Sequence, residues 1–174
     1  MEIVTADLYD AHHETVGVCA LQFRSFGKRH SFFGPCATVA TFEDHTPVLK
    51  FLSEPGNGRI LVVDGQGSLR IGVMGDRLAE IGVRNGWAGI VINGAIRDSL
   101  GIDALDIGVK ALGATARRGW SSGSSARDTP LGFGGVTFVP GNWVYADVDS
   151  VLVSPAELAF AAEQAPLRSK DNRK

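Results

Sequence analysis

The sequence predicts an α/β fold, a layered domain with a parallel βαβ core and a mixed sheet. The runs RILVVD at 59–64 and AGIVIN at 88–93 are continuously apolar and predict buried strands. Between them, DRLAEIGVRN at 76–85 predicts a helix whose inward side includes Leu78 and Ile81. Strand, helix and strand in this order form a βαβ unit with parallel strands and a right-handed crossover. The 22 glycines cluster between apolar runs, as is typical of tight connections in such a sheet.

Three elements are predicted before this unit: a helix over 5–14, a strand over 32–42 and a helix over 46–53. Thr5 is expected to cap the first helix, with Leu8 and Ala11 on its apolar side. The strand is rich in aromatic and β-branched residues. Thr46 and Pro47 fit the N-cap and the first position of the second helix.

The second half of the chain predicts shorter elements. They are one or two helical turns over 99–104, a strand over 106–116, a polar loop over 120–130, and strands within 134–141, 142–147 and 149–154, partly antiparallel. A last helix is expected over 155–164, apolar on one side through Leu158, Phe160, Ala161 and Ala162.

Length and composition limit the function classes. The chain has 174 residues, enough for one domain with a sizeable core, which we place at 1–165 and follow with a solvated tail at 166–174. A net charge of −2 without a basic block disfavours nucleic-acid binding. Cys19 and Cys36 lack CxxC spacing and are expected to be reduced core thiols. Without a signal peptide or a long apolar run, we expect a cytoplasmic protein with no membrane contact.

The residues of the centre that can carry chemistry are Asp76, Arg97 and Asp98. Asp76 opens the helix that leaves the first strand of the βαβ unit, and Arg97 and Asp98 lie just past the second strand. Ligands of parallel sheets bind beyond the carboxyl ends of the strands. We therefore expect these side chains to share one small pocket.

Each part of this pocket has a plausible function. The backbone N–H groups of Gly75, Asp76, Arg77 and Leu78 at the helix start can bind a substrate carboxylate. Arg97 can hold a carboxylate through two parallel hydrogen bonds. Asp98 and Asp76 offer hard oxygen ligands for Mg²⁺ or Mn²⁺. Such a site suits a small 2-oxo acid, whose enolate a metal can stabilise.

Simpler interpretations remain open for the same residues. Asp76 can be an N-cap, a common use of Asp after glycine, and Arg97 with Asp98 can be a solvated pair at a helix start. Arg70, in the glycine-rich connection, either assists the site or lies on the surface. Arg127-Asp128 repeats the dipeptide in a polar loop, and we interpret it as a loop pair.

The glycine-rich connection GQGSLRIGVMG at 65–75 does not match a nucleotide-binding motif. It lacks the GxxxxGK[ST] phosphate loop, and it lacks GxGxxG after its strand. Binding of a nucleotide or of S-adenosylmethionine is therefore disfavoured.

Three stretches resemble one family: LVVDGQGSLRIGVMGDRLAEIGVRNGWAGIVINGAIRDS, LDIGVKALGATARRG and GGVTFVPGNWVYADVDSVLVS. Over about residues 4–153 the chain is similar to RraA-like proteins and the class II 4-hydroxy-4-methyl-2-oxoglutarate aldolases. The aldolase signature of that family is an Asp, twenty intervening residues and then Arg-Asp, and Asp76, residues 77–96 and Arg97-Asp98 match it without a gap.

The resemblance implies a fold, an assembly and a role for each site residue. Family members are compact αββα-type domains that form homotrimers, sometimes hexamers, with the site near a subunit boundary. The loop at 75–78 would cradle the substrate, and Arg97 would bind its pyruvate-like portion. Asp98 would ligate the divalent metal, and Asp76 would hold metal-bound water.

The implied activity is retro-aldol cleavage of 4-hydroxy-4-methyl-2-oxoglutarate to two pyruvates, with oxaloacetate decarboxylation as a related reaction. Both reactions proceed through a metal-stabilised pyruvate enolate. The alternative is an RraA-type regulator that binds and inhibits ribonuclease E without catalysis. Those regulators lack the complete Asp and Arg-Asp set, which this chain keeps, so the resemblance favours the enzyme.

Overall fold

The computed structural model describes residues 2–160, which form four helices and eleven strands. The helices are α1 (Thr5–His12), α2 (Thr46–Leu52), α3 (Asp76–Arg84) and α4 (Ser99–Asp103). The strands are β1 (Gly17–Val18), β2 (Arg24–Phe26), β3 (Phe32–Thr41), β4 (Ile60–Asp64), β5 (Gly89–Ile96), β6 (Gly108–Ala114), β7 (Ser125–Arg127), β8 (Leu131–Phe133), β9 (Val136–Phe138), β10 (Trp143–Ala146) and β11 (Val151–Ser154). Within this range no helix has the length and apolar character needed to cross a membrane.

Nine of the strands join in one mixed sheet in the order β1-β11-β10-β3-β4-β5-β6-β2, with β7 paired to β3. The four central strands, β3 to β6, run parallel to one another. The outer pairings are antiparallel, and β8 and β9 form a separate hairpin. The predicted α/β class, with its parallel βαβ core and mixed sheet, is confirmed.

Both faces of the parallel strands are covered, which explains their continuous apolar sequence. Every residue of β5 is buried. On one face Phe51 and Leu52 of α2 and Ala79 of α3 pack against the sheet. On the other face Phe138 and Val144 from the antiparallel strands cover it.

Two glycines of the parallel strands accommodate one aromatic ring. A Cβ atom at Gly89 or at Gly108 would overlap the ring of Phe32, which is buried at the start of β3. The ring therefore lies across β5 and β6 at a place where neither strand has a side chain. This contact ties β3 to strands that it does not pair with.

The first helix differs from its prediction. Its N-cap is Val4, it ends at His12, and Ala11 is exposed, whereas Leu8 is buried as expected. Thr5 does not cap it: its backbone N–H and its hydroxyl donate to the carboxylate of Asp147, at 2.7 and 2.8 Å. A partner 142 residues away thus replaces the local capping bond.

The second helix begins one residue earlier than predicted. His45 is its N-cap, so Thr46 and Pro47 occupy its first two positions. The reason is an acceptor that precedes the helix: Oδ1 of Asp44 accepts a hydrogen bond from the Thr46 N–H at 2.9 Å. Asp44 thereby satisfies an N–H group that the helix itself leaves free.

The helix predicted over 155–164 is wrong for residues 155–160, which are not helical. The backbone N–H of Leu158 donates to the Tyr145 hydroxyl at 2.7 Å, and Phe160 packs edge-on against Phe33. These tertiary contacts outweigh the helical propensity of the segment. The rest of that helix and the tail at 166–174 lie outside the described residues.

Short strands account for the remaining differences. β1, β2 and β8 were not predicted, and β7 lies within the segment predicted to be a polar loop. β5 continues to Ile96, three residues beyond its predicted end. Cys19 and Cys36 are buried free thiols, as expected, and burial raises the pKa of Cys36 to about 11.

Asp147 is a buried carboxylate that joins the first helix to the turn between β10 and β11. Besides the two groups of Thr5, the backbone N–H groups of Asp149 and Ser150 donate to it. Burial alone would raise the pKa of this carboxyl, but these hydrogen bonds outweigh burial and hold the pKa below its ordinary value.

Gly89→Ala and Gly108→Ala are each expected to lower the free energy of unfolding by about 1–3 kcal/mol, because the added methyl group overlaps Phe32. Urea denaturation measures the effect. Gly132→Ala is the matched control, since a Cβ there meets nothing within 4 Å. Equal stability of all three variants would contradict the packing described for Phe32.

Asp147→Asn is expected to cost about 1–3 kcal/mol at neutral pH, because an amide cannot accept all four hydrogen bonds. The lowered pKa means that Asp147 stabilises the fold above about pH 4 and loses this contribution as the pH falls further. The Asn variant should therefore lose less stability than the wild type between neutral and acidic pH. Urea denaturation at several pH values tests this, with Asp149→Asn, an exposed neighbour, as the control that retains the wild-type pH dependence.

Candidate active site

A cavity of about 550 Å³ lies at the edge of the sheet where the parallel strands end. All six residues predicted for the site line it: Gly75, Asp76, Arg77, Leu78, Arg97 and Asp98. Five further residues line it as well: His45, Leu49, Gly72, Met74 and Arg118. The expected sharing of one pocket by the two ends of the βαβ unit is therefore seen in the structure.

The loop between β4 and α3 brings the helix start beside the end of β5. The Val73 N–H donates to the Ala95 carbonyl, and the Arg97 N–H donates to the Met74 carbonyl, each at 2.9 Å. The loop thus extends the sheet for a few residues alongside β5. Gly75, at the end of this stretch, comes to lie against the side chains of Arg97 and Asp98.

Asp98 adopts the left-handed backbone conformation, with φ of 56° and ψ of 43°. Among residues with a Cβ atom, Asp and Asn adopt it most readily. The turn places the carboxylate beside the preceding guanidinium, and Nε of Arg97 donates to Oδ2 of Asp98 at 2.9 Å. The two side chains keep 32% and 42% of their surfaces exposed, so both remain accessible to a ligand.

Two glycines leave room for the acidic side chains. A Cβ atom on Gly75 would lie 2.8 Å from Oδ2 of Asp98, and one on Gly101 would lie 2.6 Å from the Cβ of Asp76. Any larger residue at either position would displace a carboxylate that lines the cavity. Gly101 belongs to α4, and sequence reasoning did not identify it.

The start of α3 shows how Asp76 is used. Gly75 is the N-cap and Asp76 is the first helical residue, so the interpretation of Asp76 as the N-cap is wrong. Its Oδ1 nevertheless accepts the Arg77 N–H at 2.7 Å. Within residues 2–160 the N–H groups of Gly75, Asp76 and Leu78 have no protein acceptor, so they can bind an anion.

The charges that line the cavity favour an anionic ligand. Three arginines, Arg77, Arg97 and Arg118, line the cavity together with two aspartates, Asp76 and Asp98. In the described residues Oδ1 of Asp98 and Oδ2 of Asp76 accept no hydrogen bond from the protein. The site therefore combines excess positive charge with two oxygen atoms that are free to bind a cation or water.

The oxygen donors fit a divalent ion that retains most of its water. No group of three or more His, Cys, Asp or Glu side chains in the described part of the chain could hold a metal on its own. Mg²⁺ is commonly bound through one or two carboxylates, with water and substrate oxygens completing its coordination. Asp98, with Asp76 in the same cavity, matches this kind of site.

Arg127-Asp128 has the same local geometry as Arg97-Asp98 but a different environment. Asp128 is also left-handed, with φ of 54°, and Nε of Arg127 donates to it at 3.0 Å. Arg127, however, forms two further hydrogen bonds to Glu54, at 2.7 and 2.8 Å, and lies over the ring of Phe51. The hydrogen bonds to Glu54 and Asp128 raise the pKa of Arg127 and satisfy its charge, so the second dipeptide has a structural role.

Sequence reasoning missed His45 and Arg118. Both follow the carboxyl end of a parallel strand, β3 or β6, and therefore lie at the same edge as Arg97. Application of the strand-end rule to all four central strands would have identified them. Arg70 does not line the cavity and pairs with Glu43 at 3.0 Å.

Comparison with known proteins gives consistent matches along the chain. Residues 5–153 match the family described as RraA-like, Aldolase/RraA. A relative from Aromatoleum aromaticum, named "Putative 4-hydroxy-4-methyl-2-oxoglutarate aldolase", is 46% identical over 158 residues, which are 91% of this chain and 99% of the relative.

Two solved structures superpose closely. The S-adenosylmethionine: 2-dimethylmenaquinone methyltransferase of Geobacillus kaustophilus matches with a TM-score of 0.87 and 46% identity, and covers 90% of this chain and 97% of its own. The RNA-processing inhibitor RraA of Thermus thermophilis matches with a TM-score of 0.86 and 40% identity, and covers 91% of this chain and 96% of its own.

The left-handed conformation of Asp98 predicts a graded effect of substitutions on stability. Asp98→Ala is expected to be less stable than Asp98→Asn and Asp98→Gly by about 1 kcal/mol, because alanine tolerates this conformation poorly. Urea denaturation of the three variants measures the difference. If the Ala variant is as stable as the other two, the left-handed backbone conformation described for Asp98 is contradicted.

Proposed function

Because the chain belongs to the RraA-like family, we propose that it is a lyase that cleaves 4-hydroxy-4-methyl-2-oxoglutarate to two pyruvates. The proposal includes decarboxylation of oxaloacetate and a requirement for Mg²⁺ or Mn²⁺. The observation that carries it is the meeting of Asp76, Arg97 and Asp98 in one cavity with excess positive charge. The Aromatoleum aromaticum relative supports it through its name.

Arg97 binds the carboxylate of the pyruvate-like portion. Its Nε is occupied by Asp98, but its two terminal nitrogens have no protein acceptor among the described residues. These nitrogens present parallel N–H groups to a carboxylate. The free N–H groups at the start of α3, those of Gly75, Asp76 and Leu78, add further donors in the same cavity.

Asp98 is the metal ligand and Asp76 holds water. Asp98 offers Oδ1, and Asp76 offers Oδ2, each without a protein donor in the described chain. A bound divalent ion would supply a Lewis acid beside the 2-oxo group. The hydrogen bond from Arg97 to Oδ2 of Asp98 fixes the orientation of the ligand carboxylate.

The two reactions share one chemical outcome at the pyruvate portion. In the aldol cleavage the bond between C3 and C4 breaks, the C4 hydroxyl loses its proton, and the electron pair remains on C3. In the decarboxylation carbon dioxide leaves and the same electron pair remains. C3 then takes a proton in both cases. A water held by Asp76 is the proton carrier that this cavity offers.

A protein-binding function is the second candidate, supported by the similarity to RraA of Thermus thermophilis. In that case the chain would bind ribonuclease E and inhibit it without catalysis. A pull-down with the ribonuclease distinguishes the two. If the protein captures the ribonuclease and releases no pyruvate, the regulatory function is supported and the lyase function is contradicted.

Methyl transfer is not proposed for this chain. The Geobacillus kaustophilus structure carries a methyltransferase name, but the loop after β4 here lacks GxGxxG: Arg70 stands where the last glycine would be. That motif supports a cofactor with an adenosine group, and this loop instead pairs with β5 and leads to Asp76.

We further propose a cytoplasmic homotrimer, which can pair into a hexamer. Leu100 and Trp120 support association near the site, because 86% and 85% of their surfaces are exposed. Exposed apolar side chains of this size are common in surfaces that bind another protein.

The purified protein is expected to release pyruvate from both substrates with Mg²⁺ or Mn²⁺, faster than the metal alone does. Asp98→Asn and Arg97→Lys should each lower the rate by about 100-fold or more, because the first removes the proposed metal ligand and the second removes the two parallel hydrogen bonds that position the substrate carboxylate. Coupled detection of pyruvate measures the rate.

Asp128→Asn is the matched control for Asp98→Asn. It removes the same charge from the same local geometry outside the cavity, so it should retain wild-type activity. No metal-dependent pyruvate release from either substrate, or equal loss in both Asn variants, would contradict the proposed function.

A further inference from the structure

Both proposed substrates are dicarboxylates, and the site described so far binds only one of the two carboxylates. We propose that Arg118 binds the distal carboxylate and so makes the site selective for dicarboxylic 2-oxo acids. This inference rests on the proposed function, because it assigns the first carboxylate to Arg97.

The backbone places Arg118 across the cavity from Arg97. Gly72 forms a parallel bridge to Ala95 on one side and to Arg118 on the other. Since neighbouring strands are about 5 Å apart, the main chains at Ala95 and Arg118 are separated by about 10 Å, and Arg97 follows Ala95 by two residues. Gly72, which has no side chain, lies between them, and all three residues line the cavity. A ligand with a charged group at each end can therefore contact both arginines.

The Arg118 guanidinium is available to a ligand. Within residues 2–160 it forms no ion pair, whereas four other arginines do: Arg29, Arg70, Arg97 and Arg127. Its guanidinium carbon lies 4.9 Å from the centre of the Trp120 ring. Such stacking restricts the side chain and leaves its charge unneutralised. Arg118 therefore lines the cavity with a side chain that Trp120 restricts and with a charge that no carboxylate of the described residues neutralises.

Arg77 is the other cavity arginine without an ion pair in the described chain. No aromatic ring of the described residues stacks on it. The ring of Trp120 restricts the Arg118 side chain, so a bound carboxylate costs it less side-chain freedom, and the bridge to Gly72 fixes the main chain of Arg118. We therefore assign the distal carboxylate to Arg118.

The test compares equilibrium binding of two 2-oxo acids, with Mg²⁺ present, by isothermal titration calorimetry. 2-Oxoglutarate has a distal carboxylate and lacks the C4 hydroxyl, and 2-oxobutyrate has no second carboxylate. Arg118→Gln is expected to weaken 2-oxoglutarate binding by about 10- to 100-fold and to weaken 2-oxobutyrate binding much less. Arg118→Lys should restore part of the loss, because it restores the charge without the planar fork.

Arg117→Gln is the matched control, since Arg117 is an exposed neighbour that does not line the cavity. It should retain the wild-type preference for 2-oxoglutarate. With 4-hydroxy-4-methyl-2-oxoglutarate, Arg118→Gln should raise KM more than it lowers kcat, because the distal carboxylate of this substrate is retained and is bound equally before and during bond cleavage.

Three results would overturn the inference: no weakening in Arg118→Gln, equal weakening for both acids, or loss of the preference in Arg77→Gln alone. Failure of the proposed function gives a different result. If the wild type binds 2-oxoglutarate through Arg118 but releases no pyruvate from either substrate, the binding site for the distal carboxylate is supported and the lyase activity is contradicted.

Discussion

The parallel direction of four central strands is the constraint from which the site follows. Because β3, β4, β5 and β6 run the same way, the chain leaves each of them at one edge of the sheet. His45, Asp76, Arg97 and Arg118 come from these four exits and line one cavity. The loop before α3 strengthens the arrangement by pairing with the end of β5, which brings Gly75 against Asp98. The chemistry of the site is thus a consequence of strand direction.

The centre of the fold could be predicted because buried parallel strands have a distinctive sequence. Strands covered on both faces are continuously apolar, and the segments at 59–64 and 88–93 show this clearly. The periphery could not be predicted in the same way. Strands of two or three residues, such as β1 and β7, are too short to show a period, and the segment at 155–160 is shaped by contacts with Tyr145 and Phe33.

The residues of the candidate site that could be predicted are those that follow the ends of recognised parallel strands. Asp76, Arg97 and Asp98 follow the two best-defined strands and share the cavity as expected. Gly101 could not be found from the sequence, since its importance depends on the packing of α4 against Asp76. The two Arg-Asp pairs show the same limit: their local geometry is alike, and only Glu54 and Phe51, distant in sequence, distinguish Arg127.

In the proposed site, Asp98 holds a divalent ion beside the oxo acid that Arg97 binds. Electron paramagnetic resonance of Mn²⁺, titrated with protein in the presence and absence of pyruvate, tests this most directly. We expect that the wild type and Asp128→Asn bind Mn²⁺, that pyruvate tightens this binding, and that Asp98→Asn loses both effects. Equal Mn²⁺ binding by Asp98→Asn, with the same response to pyruvate, would contradict it.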